Sequence, residues 1–340
     1  MQLRFALLGC GNVGHALLEM LSEKAETLQN QYDLTLSCTG GMTRSAGGWL
    51  APDGISPTAL LASGWPHKLS PIGTQPFTGD SVAFAQESPA DVLVELTTLN
   101  PTDGQPALDH VRAALAAGKS VVTANKGPIA HGYRELSALA AVRGLVLRFE
   151  STVMDGTPVF GMAAASLPAT EIASFRGLLN STSNYVLSRM AQGETLDEAV
   201  AGAQRLGIAE ADPSNDLDGW DASVKATVLA NVLMGTDLRP QDVQREGLGA
   251  EAMLRAHHAL LPGQTLKQVA EAERQGDSVV ARVRLAALPP SDALAHLTGM
   301  EAGLQLRIDT MGDLTLIEGE GGPGQTAFGV LADLIAVAQR

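Results

Sequence analysis

A glycine pattern at the amino end restricts the fold of this chain more than any other feature. A largely apolar run over residues 3–8 leads into Gly9-Cys10-Gly11-Asn12-Val13-Gly14, and Ala16, Leu17, Leu18, Met20 and Leu21 follow at helical spacing. The run suits a strand buried in a parallel sheet, so the order reads strand, G-x-G-x-x-G, helix. The first glycine permits the tight turn, the second lets backbone approach a pyrophosphate, and the third lets helix and strand pack closely. The helix amino terminus then attracts the anion. Gly9, Gly11, Asn12, Val13 and Gly14 are therefore candidate dinucleotide contacts.

The alternation continues. Residues 34–38 and 91–96 read as strands, 107–117 as a helix closed by Gly118, and 120–123 as a further strand. Strand and helix in turn indicate a doubly wound parallel sheet whose ligand lies beyond the strand carboxyl ends. That places Thr97 and Thr98, and the loop Ala124-Asn125-Lys126-Gly127-Pro128, beside the cofactor. Lys126 there is either a surface charge or a group that polarises a carbonyl or delivers a proton. NAD sites carry an acid about 20 residues beyond the glycines, whereas NADP sites offer Arg and small polar residues to the 2′-phosphate. Residues 39–45 hold no acid, and Asp33 sits at the wrong end of its strand. NADPH is therefore expected, with Arg44 and Ser45 as phosphate contacts and NADH as the alternative; otherwise Arg44 is a solvated loop charge. The stretch from Gly47 to about Gly79 has weak periodicity and reads as an elaborated connection without chemistry, its Trp49, Trp65 and His67 being packing or surface residues.

Size and charge set outer bounds. At 340 residues with 45% apolar content the chain can bury two cores. A net charge of -14 without clustered Lys and Arg excludes nucleic acid. The amino end is too short in apolar residues for a signal peptide, and no run of about 18 apolar residues suggests a membrane span. Cys10 lies in the glycine loop and Cys38 is the only other thiol, which fits a reducing cytoplasm rather than a disulfide.

In the second half, Asp216-Leu217-Asp218-Gly219-Trp220-Asp221-Ala222-Ser223-Val224-Lys225 puts Asp221 and Lys225 four residues apart, on one helix face, where each favours the charged form of the other. Glu210 precedes them, and residues 226–233 are apolar nearly all round, so the helix bearing the charges is expected to be buried. Leu217 and Trp220 should pack, leaving Glu210, Asp216, Asp221 and Lys225 for a polar cleft; the bland reading is a solvated charged face. Asn180, Ser181 and Thr182 form an amide and hydroxyl cluster that caps a helix or binds polar substrate. Thr195 and Glu198 have capping-box spacing ahead of a helix that Gly207 closes. Residues 277–285, 304–308 and 314–317 read as strands of an open mixed sheet. Glycines from 319 to 324 feed a final amphipathic helix that returns to the first domain.

These segments, in this order, resemble homoserine dehydrogenase. The likeness rests on Gly9-x-Gly11-x-x-Gly14, on Val121-Val122-Thr123-Ala124-Asn125-Lys126, on Asn180-Ser181-Thr182-Ser183-Asn184-Tyr185, and on Gly207-x-Ala209-Glu210-x-Asp212-Pro213 leading to Asp216, Gly219, Asp221 and Lys225. It implies reversible hydride transfer between a nicotinamide cofactor and L-aspartate 4-semialdehyde, giving L-homoserine on the route to threonine and methionine. By matching position, Lys126 and Lys225 flank the reacting carbonyl, Asp221 orients Lys225, and Glu210 and Asp216 hold the substrate's ammonium or a bound water. Gly322 of the closing glycine turn meets the cofactor. The resemblance also implies a sodium or potassium ion on carbonyls of Glu150, Val153, Asp155 and Thr157. The family favours small residues where this chain has Met154 and Asp155, an aromatic where it has Ile208, and glycine where it has Glu320.

The expected class is α/β. A Rossmann-type doubly wound parallel sheet over residues 1–148, completed by 319–340, joins a second α/β catalytic and dimerisation domain with an open mixed sheet over 149–318. The resemblance further implies a cytoplasmic homodimer joined through that second sheet, without a kinase or regulatory domain. Two rivals stand beside it: another reductase of a small carbonyl or imine on the same fold, and a nucleotide-sensing protein that lost the chemistry.

Overall fold

Strand Gln2–Leu8 sorts its side chains between two cores, and the rest of its sheet does the same. In the computed structural model, which describes residues 1–67, 71, 73–250, 253–254 and 261–340, Leu3, Phe5 and Leu7 join one apolar cluster while Ala6 and Leu8 join another. Val92 and Val94 part from Leu93, and Val122 parts from Val121, in the same way. This period of two, with both faces apolar, is what a strand covered by helices on each side requires.

The sheet has seven strands in the order Gln75–Phe77, Gly47–Ile55, Thr35–Thr43, Gln2–Leu8, Val92–Glu95, Ser120–Thr123, Leu147–Arg148. The last five run parallel; the first two are antiparallel additions at the edge. On one face lie Leu17, Leu18 and Leu21 of helix Asn12–Glu23 with Val330, Leu331 and Leu334 of helix Pro323–Ala338. The other face takes Leu108, Val111 and Leu115 of helix Ala107–Ala116 and Leu136 of helix Lys126–Val142.

The segment of weak periodicity, read as an elaborated connection, supplies strands Gly47–Ile55 and Gln75–Phe77 and helix Pro57–Ser63. Glycines hid the alternation. A Cβ on Gly41 would lie 2.9 Å from the Trp49 ring, so the side-chain signal is missing where the hairpin packs most closely. Trp49 and Trp65 are buried and meet edge to face at 5.7 Å, as packing residues.

The chain forms two compact units, Met1–Val159 with Gly322–Arg340, and Phe160–Gly321. The second unit holds a six-stranded mixed sheet in the order Gly312–Glu318, Ala302–Ile308, Ile172–Leu178, Thr265–Gln275, Ser278–Leu288, Gln244–Arg245. Helices Ser181–Met190 and Leu196–Arg205 bury Val186, Leu187, Ala199 and Ala203 against Leu266 and Leu285 on one face. By register, the opposite face carries Arg176, Glu271, Arg282, Gln305 and Arg307. Among the described residues no helix is long and apolar enough to cross a membrane.

Candidate active site

In the first unit the three glycines differ in what surrounds them. Gly9, at φ +90, lies under the Leu96–Thr97 peptide, and a Cβ there would sit 2.6 Å from the Leu96 carbonyl oxygen. A Cβ on Gly14 would come within 3.2 Å of the Gly9 carbonyl, whereas one on Gly11 would meet nothing within 4 Å. The open side of the loop is thus at Gly11, where a ligand backbone can approach. Gly11 caps helix Asn12–Glu23 without a side-chain hydrogen bond, so the first-turn N–H groups around Asn12 and Val13 point to an anion or water. These features fit a dinucleotide.

Arg44 and Ser45 are exposed in the turn that joins strands Thr35–Thr43 and Gly47–Ile55. Asp33 is at the far end of its strand, in a left-handed conformation, paired at 3.2 Å with the amino terminus. Thr97 is half-buried and Thr98 exposed beyond strand Val92–Glu95. Lys126, expected in a loop, is the first residue of helix Lys126–Val142, whose cap is Asn125 accepting from the Gly127 N–H at 3.0 Å. A cation at that end stands against the helix dipole.

The turn expected to ring a cation is held by the last helix. Asp155, at φ +32, accepts from the Gly322 N–H at 2.8 Å and from the Thr326 hydroxyl at 2.9 Å. Its carbonyl lies 3.1 Å from where a Cβ on Gly329 would be. The Glu150 N–H donates to Asp333 at 2.8 Å, Val153 is buried, and the Thr157 N–H donates to the Met154 carbonyl. Asp155 thus directs its carboxylate to the start of helix Pro323–Ala338, and nothing in this geometry supports a cation there. Gly322 correspondingly spends its N–H on Asp155.

In the second unit, Asn180 caps helix Ser181–Met190, its Oδ1 accepting from the Ser183 N–H at 2.7 Å. The same amide donates through Nδ2 to Asp216 at 2.7 Å and to Asp221 at 3.0 Å. The cap expected from the sequence is thus formed by Asn180, and the same side chain also joins two carboxylates. Asp221 stands first-turn on helix Trp220–Leu233, 3.3 Å from Lys225, whose Nζ also donates to the Leu179 carbonyl at 2.5 Å. Burial, and then the Asp221 charge, raise the Asp216 pKa, while Asn180, Thr182 and Lys225 act against that shift. The Thr182 hydroxyl also reaches the Ile208 carbonyl at 3.2 Å. Asn180, Thr182, Asp216, Asp221 and Lys225 therefore form one cluster. Ser181 is half-buried at the helix start, and Glu210 is exposed, its carbonyl accepting from Gln204. Leu217 and Trp220 are half-buried, the indole under the Arg245 guanidinium.

The sequence reading passed over three buried polar residues. Glu95 and His110 lie beneath the Thr97 loop, and Lys267 binds Asn184 of the Ser181–Met190 helix. An acid closing an otherwise apolar buried strand was a legible signal for Glu95. Lys267, in a stretch of ordinary polar and alanine residues, had none.

Residues 158–335 match the family model described as homoserine dehydrogenase, and residues 9–150 match that of the homoserine dehydrogenase NAD-binding domain. An NAD(+)-dependent homoserine dehydrogenase of Pseudomonas canavaninivorans is 34% identical over 99% of this chain and 96% of its own. The homoserine dehydrogenase of Methanocaldococcus jannaschii is 32% identical over 97% of each. The chain belongs to the homoserine dehydrogenase family. Among solved structures, a putative homoserine dehydrogenase from Archaeoglobus fulgidus superposes with a TM-score of 0.85 at 28% identity, covering 99% of both chains. A hyperthermophilic archaeal homoserine dehydrogenase in complex with NADPH gives 0.83 at 28% identity, covering 100% of this chain and 98% of that one. The protein is accordingly an NAD(P)-dependent oxidoreductase acting on a CH–OH group, interconverting L-aspartate 4-semialdehyde and L-homoserine, and neither rival reading is favoured.

Proposed function

We propose that Lys225 delivers the proton taken up by the substrate's carbonyl oxygen during reduction. The observation that carries this reading is the Lys225 ammonium held between the Asp221 carboxylate at 3.3 Å and the Leu179 carbonyl at 2.5 Å. Asp221 favours the charged amine and sets its direction, and Asn180 sets Asp221 in turn. Asp216 and Glu210 take the substrate's ammonium or a bound water, with Ser181 and Thr182 offering hydroxyls. Bound NADPH supplies the hydride. Lys126, at the start of helix Lys126–Val142, is the second candidate amine, for polarising the carbonyl.

NADPH is the preferred cofactor in this reading, with NADH as the alternative. Its support is the exposed Arg44 and Ser45 at a strand end without an acid. Because the Pseudomonas relative is named for NAD(+), the 2′-phosphate contact is where this chain is expected to differ from it. The enzyme works as a homodimer through the second sheet's polar face, where the pairs Arg284–Glu271 and Arg307–Asp313 can exchange with a two-fold copy. It serves threonine and methionine biosynthesis in the cytoplasm, consistent with Cys10 and Cys38 as free thiols.

The test follows NADPH absorbance with L-aspartate 4-semialdehyde in wild type and Asp221→Asn. The expected result is a loss in kcat of about a hundredfold with NADPH affinity unchanged. Equal turnover in the variant removes the Asp221–Lys225 pair from the reaction.

A further inference from the structure

We propose that Glu95 is a positioning residue that sets the cofactor-facing edge of the first unit, fastening three separate loops to one buried carboxylate. Glu95 ends strand Val92–Glu95 and is completely buried. An isolated carboxylate there would be costly, so its partners define why it is kept. Its Oε1 accepts from the Thr97 N–H at 3.0 Å and from the Thr97 hydroxyl, and its Oε2 accepts from the Thr123 hydroxyl at 3.1 Å. His110 approaches to 3.6 Å through Nδ1, while its Nε2 pairs with Ser81 at 2.8 Å.

The Thr97 and Thr123 contacts lead on to the candidate cofactor loops. The Thr97 N–H belongs to the Leu96–Thr97 peptide that roofs Gly9, so Glu95 fixes the lid on the glycine turn. The Thr123 hydroxyl accepts from the Asn125 N–H at 3.0 Å, and Asn125 Nδ2 donates to the Thr97 carbonyl at 3.0 Å. Asn125 is also the cap that starts the helix bearing Lys126. The glycine turn, the Thr97 loop and the Lys126 helix thus share one anchor, which touches none of the reacting atoms.

This inference rests on the reading that those loops face the cofactor, and its test separates the two. Glu95→Gln preserves the geometry: its carbonyl oxygen still accepts from Thr97, and its amide donates to the Thr123 oxygen, whose hydrogen, shared in the wild type between Oε2 and the residue-95 backbone carbonyl, goes to that carbonyl at 2.9 Å. Glu95→Val removes every side-chain contact. NADPH affinity by fluorescence titration and the KM for NADPH should weaken about tenfold in Glu95→Val, with kcat at saturating NADPH falling by less than the affinity does. Glu95→Gln should stay within about threefold of wild type in all three. The proposal is overturned if Glu95→Val binds NADPH as wild type does, if it loses kcat at unchanged KM, or if Glu95→Gln fails as badly as Glu95→Val. Should Glu95→Val not fold, Thr123→Val reads the same network: a raised KM for NADPH supports it, and an unchanged KM overturns it. A wild type that binds NADPH but leaves aspartate semialdehyde untouched faults the functional reading, while the titration still judges Glu95.

Discussion

Replacing Lys267 by methionine should make the stability of this protein respond differently to alkaline pH. Lys267 is 1% exposed and donates to Asn184 Oδ1 at 2.8 Å and to the Leu297 carbonyl. Burial lowers its pKa from the ordinary 10.5 to about 8, with Glu301 pulling the other way. Below that value the folded state carries a charge that burial disfavours. Between the two values the unfolded chain binds a proton that the folded chain has lost, so this residue's contribution to stability rises with pH. The whole interval is worth about 3 kcal/mol, and the part between about pH 7 and about pH 9.5 is worth about 2 kcal/mol. Methionine keeps the length and apolar stem but cannot titrate, and all other groups are common to both proteins. Urea unfolding at the two pH values should therefore show the wild type gaining about 2 kcal/mol over Lys267→Met on going alkaline. A gap that stays constant, or narrows, would mean that the Lys267 ammonium is not held at a cost in the folded state.

Three further outcomes follow from the sites described. Lys225→Ala should lower kcat about a thousandfold while NADPH binding by fluorescence titration stays within about twofold; comparable turnover would exclude Lys225 as the proton donor. Arg44→Ala should weaken NADPH about tenfold more than NADH in paired KM measurements, and an unchanged ratio would place the 2′-phosphate elsewhere. Asp155→Ala, which leaves the Gly322 N–H and the Thr326 hydroxyl without their shared acceptor, should cost about 1–2 kcal/mol in denaturant unfolding; no change would mean the last helix is not capped by it.

Much of the nucleotide unit was readable because its strands are short, apolar and separated by amphipathic helices. Residues 120–123 and the end of the helix before Gly118 emerged where the sequence placed them. The hairpin after Thr43 was not, since glycine at 40, 41 and 48 leaves no side chains to alternate. Lys126 read as loop because Gly127 and Pro128 follow it, yet proline in a first helical turn loses no intrahelical bond. Strand Thr265–Gln275 is written in Ala, Glu, Gln and Lys, which favour helix; it is a strand because neighbours pair with it on both sides. In the candidate site, the Asp221–Lys225 pair follows from helical spacing alone. The Asn180 bonds to Asp216 and Asp221 join residues 36 and 41 positions apart and needed the fold.

The return of helix Pro323–Ala338 to the first unit has a consequence for synthesis. Val330, Leu331 and Leu334 fill the core beside Leu17, Leu18 and Leu21 and are made long after them. A nascent chain holding every glycine of the amino-terminal turn still lacks one wall of that core until helix Pro323–Ala338 has emerged. The contiguous stretch Phe160–Gly321 has no such dependence and can assemble earlier on the ribosome. Chains terminated before that helix are thereby left with an exposed apolar sheet face, which marks them for chaperones and proteases.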